Sequence, residues 1–172
     1  PIEKQKLQMP ELPASQSRVT LLRSSENVDY TQGVFILNED WFGHNNSTIN
    51  FMTSSGDFAY RIFQTANPGK ELGCTSQFGT IFGDNMFITS KQPKDGGASI
   101  EGGRLNVVDA KTMKVKAQFT DIGGGDGRAF LGVNDSVGYI GASNGIFLFD
   151  IKNLTVGDQL KGASNSGGLY NG

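Results

Sequence analysis

Cysteine, histidine and charge are all scarce in this chain. A single cysteine, Cys74, excludes an intramolecular disulfide framework. A single histidine, His44, has no second His or Cys at ligand spacing, so no metal site is read from the sequence. Charged residues are 19% of the 172, and 15 Lys and Arg against 17 Asp and Glu leave a net charge of −2. Bulk electrostatics therefore implies no nucleic-acid partner. No apolar run approaches the ~20 residues of a membrane span, and no secretory signal is present. Pro1, in place of Met, points to a processed or trimmed chain.

Glycine is what the chain has in excess: 24 residues, against about 12 at ordinary usage of ~7%. They cluster at Gly96-Gly97, Gly102-Gly103, Gly123-Gly124-Gly125 and Gly167-Gly168, which fits a chain that reverses direction often. Twelve phenylalanines suit strands.

The stretch Gly102–Ile122 organises the rest. Leu105 and Val107 alternate with Asn106, Asp109 ends the run, Ala110-Lys111-Thr112 turns the chain, and Val115–Phe119 leads back. Period-two alternation around a short polar turn predicts a half-buried β-hairpin. Ile146–Asn153 repeats it with Asp150 in the place of Asp109, 41 residues on. Thr48–Phe63 is a weaker copy without the Asp. Gly33–Asn38 reads as an apolar strand from inside a sheet. Phe78–Phe82 with Met86–Thr89, and Ala129–Val133 with Val137–Gly141, read as inner hairpins, while Gln64–Thr75 and Ser90–Gly103 read as loops.

The unit is thus four strands, and four-stranded units every 40–50 residues are the spacing of β-propeller blades. The expected fold is all-β: a propeller of antiparallel blades with about three to three and a half present. Residues 1–27, polar and proline-containing, are expected to be a tether with one short strand at Val19–Leu22, and residues 28–172 a partial propeller domain continuing beyond Gly172. A propeller closes with about four to eight blades, so the expectation is the N-terminal half of a longer protein.

In such blades the hairpin turns leave on one side and the longer connections on the other. Long loops on a rigid scaffold usually carry function. That side gathers Trp41, Phe42 and His44 for stacking, Asn45, Asn46, Gln92 and Asn144 as neutral hydrogen-bonders, and Lys70, Asp126 and Arg128 among its charges. The mixture suits a neutral polar ligand. Each residue also has a plainer reading: Trp41-Phe42 as a plug for the next blade, His44 as a loop hydrogen-bonder, Asp109 and Asp150 as turn caps and not catalytic acids. Gly123–Gly127 has the look of a phosphate loop, but no Lys-Ser/Thr follows it.

GVFILNEDWFGHNN from Gly33, NPGKELG from Asn67, GGRLNVVDAKT from Gly102 and GRAFLGV from Gly127 together resemble the YncE-like propeller lipoproteins of Bacteroidota, the DUF5074 group. That group includes surface proteins that capture vitamin B12. The resemblance implies a seven-bladed ring on the outer membrane surface, attached to the membrane only through a lipidated cysteine preceding Pro1. It implies a small-molecule nutrient as ligand, cobalamin or a related corrinoid among the options, passed to a TonB-dependent transporter. The expected function is non-catalytic nutrient capture, with no resident cofactor. A metal-dependent propeller hydrolase or lyase, and a protein-docking scaffold, are the alternative readings.

Overall fold

The structure, a computed structural model, describes residues 28–41, 44 and 46–164. The expected tether at 1–27, the last eight residues of the expected propeller domain, and the candidate residues Phe42 and Asn45 lie outside the described residues. Among the described residues there are eleven strands and one five-residue helix. The first sheet holds β1 (Gly33–Asn38), β2 (Thr48–Thr53) and β3 (Phe58–Ala59), followed by helix α1 (Ile62–Ala66). The second is β4 (Cys74–Phe82), β5 (Asn85–Gln92), β6 (Leu105–Asp109) and β7 (Val115–Phe119). The third is β8 (Gly127–Gly132), β9 (Val137–Ala142), β10 (Gly145–Asp150) and β11 (Thr155–Ser164). Each is an antiparallel meander in chain order, blade-like in form.

The register makes the repeat explicit. Asp109 pairs with Asn85 and Asp150 with Val137, so β6 and β10 hold equivalent places. Gly33 pairs with Thr53 in the same way, which makes β1 the counterpart of β5 and β9, not of β4 and β8. Consequently β1, expected inside a sheet, stands at the edge of the described first sheet, and Val34 is 55% exposed.

Two apolar layers separate the three sheets. Ile49 and Phe51 of β2 meet Met86, Ile88 and Val108 in the first; Phe87, Leu105 and Val107 meet Phe130, Ile140, Phe147 and Phe149 in the second. Neighbouring residues of one strand therefore serve different layers, as a two-residue period requires. The Phe87 and Phe130 rings stack at 3.8 Å, and Phe149 meets both edge-on. This corrects the half-buried hairpin: β6 lies in the middle sheet, and Leu105 to Val108 are all buried. Asn106 is tolerated there because its amide donates to Gly103 O at 3.0 Å and accepts from Gln118 at 2.9 Å.

The weaker hairpin copy also differs. Its second strand is only Phe58–Ala59, after which Arg61, at φ 51, swings the chain into α1 and buries Ile62 and Phe63. Cys74 and Thr75, expected in a loop, begin β4.

Candidate ligand-binding site

The short turns at 83–84, 110–114, 133–136 and 151–154 lie at one end of the sheets. The connections 39–47, 93–104, 120–126 and 143–144 lie at the other. What fixes the 39–47 loop is Ser47, fully buried. Its N–H donates to Gly73 O at 3.0 Å and its hydroxyl to Glu39 O at 3.1 Å. The same hydroxyl accepts from Ser76 N–H at 2.8 Å, and Ser47 O accepts from Gln64 at 3.2 Å. One small side chain thus ties the loop to β4 and α1.

Between this loop and the 93–104 loop lies a cleft of about 230 Å³, lined by Asp40, Asn46, Arg61, Glu71 and residues 97–99. Arg61 pairs with Glu71 at 3.3 Å, and Gln64 donates to the other Glu71 oxygen at 2.7 Å. Thr48 donates to one Asp40 oxygen at 2.8 Å. Asp40, Arg61 and Thr75 all hold left-handed backbones, at φ 60, 51 and 57. Such residues persist only where their surroundings over-determine them, and they concentrate at functional sites.

Trp41 follows the cleft residue Asp40 and is 66% exposed, with its ring stacked on His44 at 3.8 Å. A Cβ on Gly97 would overlap the His44 backbone, so only glycine admits this approach of the two loops. Asn46 is half-buried, donating to Ile100 O at 3.0 Å and accepting from the Cys74 thiol at 3.2 Å. Burial, and then the negative charge of Asp95, push that thiol up to about 11. Gln92 ends β5 opposite Cys74, at the mouth of the 93–104 loop.

The remaining candidates separate from this group. Asp126 and Arg128 pair at 3.1 Å beside the 143–144 connection, where Ser143 holds Asp126 N–H. Asn144 donates to Gly123 O at 2.8 Å, and its buried Oδ1 has no partner among the described residues. Lys70 donates its N–H to Asn67 O at 3.0 Å and immediately precedes Glu71 of the cleft, while the Asn67 side chain bonds Met113 in the 110–114 turn and Val115 at the start of β7.

The Gly123–Gly127 loop has already committed the donors of Gly123, Gly124 and Asp126. The N–H groups of Gly123 and Gly124 both bond the Asp121 carboxylate, at 3.0 and 2.7 Å. That pairing, led by Gly124, holds the Asp121 carboxyl below its usual range and takes the first two glycine donors away from any phosphate. Asp109 and Asp150 cap their turns through the N–H groups of Lys111 and Thr112, and of Asn153. Among the described residues, no three His, Cys, Asp or Glu side chains converge to hold a metal ion.

A protein-family model described as "Domain of unknown function (DUF5074)" matches residues 32–171. No curated protein matches the chain.

Proposed function

The chain belongs to the DUF5074 domain family, and on that premise we propose that it is a non-catalytic β-propeller segment that captures a small polar nutrient at the cell surface. The observation that carries this reading is the cleft between the 39–47 and 93–104 loops, preformed by Ser47, with the exposed Trp41 next in the chain to its Asp40. A preformed site loses little ordering entropy on binding. Cobalamin or a related corrinoid, a lipid anchor on the outer membrane and hand-over to a TonB-dependent transporter come with the likeness to the B12-capturing lipoproteins.

The propeller itself is supported by the equivalence of the sheets. Tyr139, Ile146 and Leu148 occupy in the third sheet the positions that Phe87, Leu105 and Val107 occupy in the second. The latter are buried by the third sheet, whereas Ile146 and Leu148 are exposed, beside Leu131 and Val133. A patch of this kind marks an interface, and further blades toward a seven-membered ring would cover it.

Equilibrium titration with cyanocobalamin and with neutral oligosaccharides tests the capture reading. Binding of either, weakened by Trp41→Ala in a chain that still folds, supports it. No binding of any of them by folded protein overturns it.

A further inference from the structure

Resting on the capture reading, we infer that the cleft between the first two sheets recognises a neutral carbohydrate, one sugar ring at a time. Size is the first reason. About 230 Å³ falls below the ~300–1,000 Å³ of sites for drug-sized ligands, which is room for a single ring and not for a macrocycle.

The lining is the second reason. Asp40 and Glu71 face the cleft with Arg61 between them in charge, so an anion meets two carboxylates and a cation meets a guanidinium. Hydroxyl groups donate and accept at once, and a ring carrying adjacent hydroxyls uses both kinds of partner. Each carboxylate is already oriented by protein donors, Asp40 by Thr48 and Glu71 by Arg61 and Gln64. Carboxylates carry about four lone-pair sites each, so acceptor capacity remains after those bonds are made.

The rim is the third. The C–H face of a pyranose is apolar and packs on a flat aromatic surface. Trp41, next in the chain to the cleft residue Asp40, offers such a surface, held on one side by the His44 ring. A corrin would need a broad apolar bed, which these residues do not form.

The test is calorimetric titration of the protein with maltohexaose, cellohexaose, xylohexaose and mannohexaose, and separately with cyanocobalamin. At least one hexasaccharide is expected to bind with Kd between about 1 μM and 1 mM. Trp41→Ala and Asp40→Asn should each weaken it by roughly tenfold or more. Lys152→Ala, at the opposite end of the sheets, should leave it unchanged, and all three variants should keep the parent circular dichroism spectrum. Saccharide binding indifferent to Trp41 and Asp40 overturns this cleft as the site. Cyanocobalamin binding without saccharide binding overturns the carbohydrate assignment and leaves nutrient capture standing. Binding of none of the probes by folded protein overturns both.

Discussion

Met113 and Leu154 share an unusual backbone: φ 59 and 52, each four residues beyond a turn-capping aspartate. The left-handed region is disfavoured for such side chains. Both turns nevertheless adopt it, because the preceding Asp fixes the turn and the apolar residue packs inward, Met113 fully buried and Leu154 partly so. The repeat is therefore one of conformation as well as composition.

Removing the cap should loosen the turn. In Asp109→Ala, the N–H groups of Lys111 and Thr112 lose their common acceptor. Both are exposed and can turn to water, so the expected cost is about 1 kcal/mol, read as a lower urea midpoint with an unchanged slope.

The same carboxylates set an acid limit. For Asp109, burial raises the pKa, but the N–H groups of Lys111 and Thr112 outweigh it and the carboxyl sits below its ordinary 3.8. Asp150 is lowered chiefly by Asn153, and Asp121 by Gly124. A carboxyl that is more acidic when folded contributes stability that is complete above the unfolded value and is lost as pH falls through the folded one. Stability should thus be flat from neutrality down to about pH 5 and drop below about pH 4. In Asp109→Asn the acid drop should be shallower. An unchanged drop would remove Asp109 from the linkage.

Ser47 is expected to matter more than its size suggests. Ser47→Ala leaves Ser76 N–H buried without its acceptor and frees the loop from Glu39. A buried donor left unpaired costs about 1–3 kcal/mol, and thermal melting of the variant measures it. Ser47→Thr, which restores the hydroxyl, should recover less than a water-exposed site would, because the added methyl enters a packed position.

Cys74 should be silent. Its thiol is buried and its pKa is about 11, so at pH 8 little thiolate forms and reagent cannot reach it. Folded protein should react with a disulfide exchange reagent at a small fraction of the rate seen in denaturant. Equal rates would mean that the start of β4 opens freely.

The Asp109 and Asp150 hairpins were legible because a turn and its two flanking strands are local: alternation and a capping Asx residue suffice. What escaped was whatever depends on contacts distant in sequence. No local pattern marks Arg61 for a left-handed backbone, and a polar Gln64–Thr75 reads as loop whichever way α1 directs it. Ser47 and Arg61 matter to the cleft only through partners in other elements, so a search for residue types of known chemistry passed over them, whereas Glu71 stands among the charges of the loop side. Trp41, His44 and Asn46 are candidates because aromatics and amides in a long loop are conspicuous by composition alone.

Adjacent residues of β8 should respond in opposite ways to substitution. Phe130 is 4% exposed, stacked on Phe87 and edge-on to Phe149; Leu131 points to the other side of the sheet and is 63% exposed. Phe130→Ala opens a cavity in the second apolar layer, for which large-to-small changes cost about 3–5 kcal/mol. Leu131→Lys breaks no contact of comparable weight and should change stability by less than about 0.5 kcal/mol. It should also reduce the binding of a hydrophobic dye, and the tendency to associate, since Leu131 and Ile146 line, with Tyr139 and Leu160, an apolar groove of about 360 Å³. Dye fluorescence and sedimentation of the single variant and of Leu131→Lys with Ile146→Lys measure this. If neither changes, the face is already covered in solution, and Leu131→Lys should then be destabilising, because a charge would be buried in the contact.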